Sequence, residues 1–201
     1  MKFLIGHRSL FLLEQLKSIH NLRYEVFFNR LQWSVSIIGQ EEIDEYDEMD
    51  PVIIAALDND KQIRACCRIL PTTGPYMLRD TFPSLLGSTP APDRDDTWEI
   101  SRFAVDKAAG NGMTFTRLPA RMIAHLVNYA LLEKIEHYVF VTTVGVERLL
   151  MRMNVHCERV SLSKRIGKES CVALWLHIDS VTIAAVSIVA PELFGAIKEV
   201  A

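Results

Sequence analysis

Long apolar runs are missing from this chain: none approaches the about 20 residues a helix needs to cross a bilayer, and the longest late one, Val181 to Ala190, falls far short. The start, Met1-Lys2-Phe3-Leu4-Ile5-Gly6-His7-Arg8, breaks its apolar stretch too early for a secretory leader, so a cytoplasmic protein with no membrane span is expected. Cysteine is sparse. Cys66, Cys67, Cys157 and Cys171 show no metal-ligand spacing, and Cys66 and Cys67 should point to opposite faces of a strand, as core packing does. No two of the histidines at 7, 20, 125, 137, 156 and 177 sit four apart on one helix, so no metal site is expected and they read as structural or surface groups. Neither charge dominates: 22 Lys and Arg against 25 Asp and Glu leave a net charge of −3, which excludes a broadly basic nucleic-acid binder. The serines lack the strand-turn-helix glycine context of a hydrolase nucleophile, so no covalent intermediate on the protein is expected.

What is present is an ordinary globular composition. With 49% hydrophobic and 23% charged residues over 201 positions, the chain reads as one domain, 1–201, able to bury about two-thirds of its unfolded surface or more. Leu10, Leu13, Leu16, Ile19, Leu22 and Val26 recur at helical spacing and predict a long amphipathic helix over 9–32. Strands are predicted over 52–57 and 62–70, joined at Asn59-Asp60, and over 98–105, 137–143 and 171–178. Helices are predicted over 115–133 and 145–153, and the segment 71–96, rich in Pro, Gly and Thr, reads as irregular. This alternation implies an α/β fold, a mixed sheet with helices on its faces.

One run stands out chemically. At about 100° per residue, Arg23, Phe27 and Arg30 fall on one helix face within roughly 60°, so two guanidiniums would flank a ring able to stack a flat group beside an anion. Trp33 follows where the helix should end, and 34–40 reads as a loop able to fold back over a ligand. Glu42, Asp44 and Asp47 then bring negative charge nearby. The pattern suits a small ligand carrying both charges; taken alone it also suits a surface helix with an acidic loop.

In order, Leu22-Arg23, Phe27, Arg30, Trp33, Val35 and Glu42-Ile43-Asp44-Glu45-Tyr46-Asp47 resemble the signature of the acyl-homoserine-lactone synthases, the autoinducer synthases of bacterial quorum sensing. Two later segments, Arg68-Ile69-Leu70-Pro71-Thr72-Thr73-Gly74-Pro75-Tyr76-Met77-Leu78 and Trp98-Glu99-Ile100-Ser101-Arg102-Phe103, fit the same family. The resemblance implies an acyltransferase on a single-domain N-acyltransferase (GNAT)-like sheet, with a cleft where two neighbouring strands splay. Its substrates would be S-adenosyl-L-methionine and an acyl thioester, carried by acyl carrier protein in most members and by coenzyme A in some, with no cofactor. In that family the α-amine attacks the acyl carbonyl, and the carboxylate then displaces methylthioadenosine to close the lactone, so the same two steps are expected here.

The same resemblance implies Glu99, Arg102 and Arg68 at the catalytic centre and Arg23, Phe27, Trp33, Asp44 and Asp47 around S-adenosylmethionine. Glu99 is the candidate base. On a regular strand it would share a face with Ser101 while Arg102 pointed away, so a bulge or strand end is expected near Ile100. Arg68, Asp44, Asp47 and Glu99 are expected to form one linked ion cluster, since buried charges persist only when paired. Asp44 and Asp47 fit equally well as ligand contacts and as supports for the lid loop.

An acyl slot is expected from Phe103, Leu118, Met122, Leu126, Val141, Thr142, Val144, Leu149 and Met153, all residues that a core would also use. In the family a threonine at the place of Thr142 accompanies 3-oxo chains, whose ketone a hydroxyl can bond; the adjacent Thr143 leaves that assignment open. Arg148 and Arg152, four apart on a helix, followed by Arg159, Lys164, Arg165 and Lys168, form a basic surface suited to an acidic carrier protein, or simply a solvated face. Lys107-Ala108-Ala109-Gly110-Asn111-Gly112 resembles the pyrophosphate loop of coenzyme A-dependent N-acetyltransferases, with Lys in place of the usual Arg or Gln. That rival activity would need no S-adenosylmethionine.

Overall fold

Two strands in the middle of the chain set the layers. The computed structural model describes residues 1–107 and 113–195, the side chains of 113–116 excepted. Val52–Leu57 (β4) is buried along its whole length and Ile63–Pro71 (β5) nearly so. Their side chains alternate between two cores. Ile53, Ala55 and Cys66 pack beneath the helix Leu13–Arg23 (α1), whereas Ile54, Ala56 and Cys67 pack beneath Met113–Glu133 (α3) and Ser180–Val189 (α5). The two adjacent cysteines thus face opposite layers, as expected. Burial pushes the Cys66 thiol up to about 12 and that of Cys67 well above its ordinary value, which makes both poor nucleophiles.

An eight-stranded sheet runs through the domain. Lys2–His7 (β1), β4, β5, Thr97–Val105 (β6), His137–Thr143 (β7), Glu169–His177 (β10) and Cys157–Arg159 (β8) lie side by side, with Lys164–Ile166 (β9) also on β10. All pairings are antiparallel except β6 with β7. The parallel pairing runs from Thr97 opposite His137 to Ile100 opposite Phe140 and stops there, although both strands continue. Beyond that point they splay, and the opening between them is the cleft.

The differences from the sequence reading have local causes. The predicted helix 9–32 begins at Leu13, and its second half, Tyr24–Arg30, winds as a wider π turn in which Leu31 N–H reaches the Val26 carbonyl at 2.9 Å. β1, an edge strand, and β8 and β9, three residues each, are too short or too polar to show a period. The 34–40 loop, together with the residues after it, folds as a hairpin of Ile37–Ile38 (β2) and Glu41–Glu42 (β3). The irregular stretch carries one turn of α-helix, Met77–Asp80 (α2), and a 3-10 turn at Pro83–Leu85. Val144–Arg152 (α4) packs on β7 and β10, and α5 packs on α3, capped by the Asp179 side chain on Thr182 N–H at 2.9 Å. No helix among the described residues is long and apolar enough to cross a membrane. Of the loop that resembles a pyrophosphate site, only Lys107 lies within the described residues.

Candidate active site

A bulge brings the site together. Cys66 pairs with Ala104 and Arg68 with Ser101, so two steps on β5 match three on β6. The extra residue falls at Arg102–Phe103, two positions past the expected place, and Arg102 takes φ +52°, a left-handed value uncommon for a non-glycine residue. The consequence is the expected one: Glu99, Ser101 and Arg102 all meet on the α1 side of the sheet.

Behind the cleft, three guanidiniums interlock with three carboxylates. Arg23 donates to Glu42 at 2.5 Å and grips both oxygens of Asp47 at 2.7 and 2.8 Å. Arg68 bonds Asp44, Asp47 at 2.9 Å and the Ser101 hydroxyl at 3.0 Å. Arg102 holds Glu42 at 2.7 Å and Asp44 at 2.9 Å. Every member is buried, Glu42 completely, and the formal charges cancel. Burial alone would raise the carboxyl groups of Glu42 and Asp47, but the adjoining arginines outweigh it and hold both below the ordinary range. Asp44 and Asp47 also shape the chain: Asp44 caps the turn Glu45–Met49, and Asp47 accepts the Asp44 N–H at 3.0 Å. Glu42, visible in the acidic run but given no role there, proves to be the link between Arg23 and Arg102.

Glu99 does not join this cluster, contrary to expectation. Its two carboxylate oxygens accept the N–H groups of Met77 at 2.9 Å and Leu78 at 2.6 Å, at the start of α2. Burial dominates its environment and pushes its pKa up to about 7, against the pull of those N–H groups and of Arg68 and Arg102. The group is therefore poised to exchange a proton near neutrality.

The cleft in front measures about 620 Å³, its open mouth included. Phe27, Arg30, Trp33, Phe82, Glu99 and Arg102 are among its walls. The Phe27 ring lies 5.3 Å from that of Trp33 and carries the Arg102 guanidinium 5.2 Å from its centroid. The expected flanking of Phe27 by Arg23 and Arg30 is not found. Because the helix widens after Arg23, that side chain turns back to the acidic cluster while Arg30 donates to the Val105 carbonyl at 3.1 Å. Arg23, Asp44, Asp47 and Arg68 thus lie behind the cleft lining, and Phe27, Trp33, Glu99 and Arg102 lie on it.

A narrow apolar slot continues between the splayed strands, sharing Ile100, Phe103, Val141, Thr142 and Val146 with the cleft. Of the residues expected there, Phe103, Leu126, Val141 and Thr142 line it. Leu118, Met122, Val144, Leu149 and Met153 do not. Met122 is fully buried in the main core, Val144 packs against that core, and Leu118, Leu149 and Met153 border a separate groove beside α5. Ile123, Phe140, Leu150 and Leu176 take their places. A buried apolar side chain on α3 or α4 reads alike in sequence whether it meets a helix or a void.

The basic residues Arg148, Arg152, Lys164, Arg165 and Lys168 are all exposed, on α4 and the β9–β10 hairpin, while Arg159 is tied to Glu147 at 2.5 Å. Gly167 in that hairpin, at φ +57°, is a required glycine: a Cβ there would sit 2.5 Å from the Leu31 carbonyl, so the turn rests directly on the end of the cleft-lining helix.

Opposite pH dependences follow. Glu42 and Asp47, with lowered pKa values, contribute stability that is present above their unfolded values near pH 4 and lost as the pH falls through the folded ones. Glu99, with a raised pKa, contributes stability that is full below about 4.5 and lost as the pH rises through about 7. The melting temperature of the wild type relative to Glu99→Gln should therefore decline between about pH 5 and 8. A constant difference would contradict the shift.

The chain is similar in sequence and in structure to several known proteins. An acyl-homoserine-lactone synthase of Pseudomonas aeruginosa is 38% identical over 180 residues, which is 89% of this chain and 90% of that protein. The structure of the AHL synthase LasI superposes with a TM-score of 0.87 at 37% identity, covering 92% of this chain and 93% of the other. TofI, solved in a ternary complex with an inhibitor and MTA, gives 0.81 at 31% identity over 96% of this chain and all of its own. An acyl-CoA N-acyltransferase from Pseudomonas aeruginosa, 13% identical with a TM-score of 0.59, covers 87% of this chain and 99% of its own and shares the GNAT-like fold alone. The sequence profile described as "Autoinducer synthase" matches residues 8–186, and on these grounds the chain belongs to the autoinducer synthase family of acyltransferases.

Proposed function

We propose that this protein makes an N-acyl-L-homoserine lactone from S-adenosyl-L-methionine and an acyl thioester, releasing methylthioadenosine. The observation that carries the reading is the position of Glu99: a fixed carboxylate with a pKa near 7, where a chamber of aromatic and cationic groups opens into an apolar slot. In this reading the sulfonium rests against Phe27 and Trp33, whose ring faces attract a cation, and the amino-acid carboxylate meets Arg102 and Arg30. Arg23, Arg68, Asp44 and Asp47 act from behind, holding Arg102 and the turn Glu45–Met49 in place.

The steps balance. Glu99, directly or through one water, takes a proton from the α-ammonium, and the freed nitrogen attacks the thioester carbonyl. A C–N bond forms, the C–S bond breaks, and the departing thiolate takes up the second proton that the nitrogen sheds as it becomes an amide, while Glu99 passes the first to solvent. The carboxylate oxygen then attacks the γ-carbon. A C–O bond closes the ring, and the C–S⁺ bond breaks with its electron pair going to sulfur, so that neutral methylthioadenosine departs. In this reading the acyl chain lies in the slot between β6 and β7, and Thr142, which lines both spaces, would bond a 3-oxo group if the chain carries one.

The donor we favour is acyl carrier protein, docked by charge on Arg148, Arg152, Lys164, Arg165 and Lys168. Purified protein given S-adenosylmethionine should release methylthioadenosine with an acyl carrier protein thioester. Arg148→Glu with Arg152→Glu should then raise KM for that donor by about tenfold, leaving turnover on the matching coenzyme A thioester unchanged. Equal loss on both donors would place those arginines in the fold. Acetyl transfer to an amine without S-adenosylmethionine would favour the acetyltransferase reading.

A further inference from the structure

Three histidines far apart in sequence form one row across the sheet. His177 lies opposite His137 on β7, and on its other side its N–H donates to the His156 carbonyl at 3.0 Å, just before β8. Residues directly opposite in adjacent strands share a face, so all three imidazoles project to the same side. Glu158, two residues after His156, joins that face opposite Trp175. The rings of His156 and His177 lie 4.5 Å apart, and those of His137 and His177 5.0 Å. The row sits at the start of the parallel pairing of β6 and β7, three register positions before the strands splay.

We infer that His156, Glu158 and His177 form a binding site for a divalent transition metal of the Zn²⁺ type. One ligand atom from each falls within 4.8 Å of the others. His156 Nε2 is 3.6 Å and His177 Nε2 3.9 Å from the carboxylate of Glu158. A zinc ion with bonds of about 2.0–2.2 Å holds its ligand atoms roughly 3.3–3.6 Å apart, so the nitrogen–carboxylate edges must close by a few tenths of an ångström on binding. Two imidazoles with one carboxylate suit zinc and its neighbours and do not suit magnesium or calcium.

The surroundings of the triangle are built for ligation. His156 Nδ1 donates to the Asp179 carboxylate at 2.5 Å, which fixes the proton on Nδ1 and turns Nε2 toward Glu158, where loss of its own proton frees the lone pair for a metal. His177 Nδ1 lies 3.1 Å from His137 Nδ1, and with His177 as donor its Nε2 is likewise free to ligate. Among the described residues that buried Nε2 finds no hydrogen-bond partner. A polar atom left in this way ordinarily costs stability, and a metal ion would satisfy it. Such an ion would clamp the short edge strand β8 to β10.

Tag-free protein titrated with zinc chloride tests the site by calorimetry and thermal melting. One equivalent should bind with saturation below about 100 µM, and the melting temperature should rise by about 5 °C at a hundredfold excess over Kd. Glu158 has a side chain 65% exposed, so Glu158→Gln should fold normally and weaken binding at least tenfold. Asp179→Asn should weaken it by about tenfold through its hold on His156. Magnesium chloride should show no saturable binding, and zinc should shift the ring nitrogen signals of His156 and His177. Absence of one-to-one zinc binding, or binding unchanged in Glu158→Gln, would overturn the assignment.

Discussion

Replacing Glu99 with Gln should lower kcat by about 10²–10⁴-fold, the usual contribution of a positioned acid or base, while leaving the donor's affinity nearly unchanged. Glutamine keeps the shape, and its carbonyl oxygen can still accept one of the two N–H groups from Met77 and Leu78. What it cannot do is take a proton. Because burial raises the pKa to about 7, wild-type turnover should fall as the pH drops through neutrality, the carboxyl being protonated and unable to act as base. The residual rate of Glu99→Gln should lack that limb. Turnover equal to the wild type would remove Glu99 from the chemistry; a lost rate with the acid limb retained would assign the titration to another group.

The second large effect falls on stability. Glu42→Ala should cost about 3–5 kcal/mol, because it strips a fully buried carboxylate from Arg23 and Arg102 and leaves two desolvated guanidiniums under-compensated. For a chain of this size that is a fall in melting temperature of about 10 °C or more. Glu42→Gln, which retains oxygen acceptors, should lose less. Turnover should drop along with stability, since Arg102 reaches the cleft on the support of this residue and of Asp44. A melting temperature within about 2 °C of the wild type would show that the ion network does not hold the cleft wall.

Much of the frame was legible in the residues. β4 and β7 appear at their predicted bounds because continuous apolar or β-branched runs between turn signals allow few alternatives. The aromatic wall of Phe27 and Trp33 and the clustering of Arg68 with Asp44 and Asp47 likewise follow the spacing and the family likeness. The bulge was anticipated but not its position: a bulge at positive φ is usually marked by glycine, and here an arginine adopts it. The place of Glu99 outside the ion network depends on α2, a single turn within a stretch with no period to read. The histidine row depends on strand register. His137, His156 and His177 become neighbours only when three strands align, and no spacing along the chain announces that.

The central claim is that one cleft holds the sulfonium amino acid with its amine at Glu99 and its cation at the aromatic pair. A crystal structure with S-adenosylmethionine bound tests this most directly. The account predicts the α-amino nitrogen within about 3.2 Å of the Glu99 carboxylate, or joined to it by one water, with the sulfonium against Phe27 and Trp33. Ligand density outside this cleft, or an amine turned away from Glu99 with no bridging water, would contradict it.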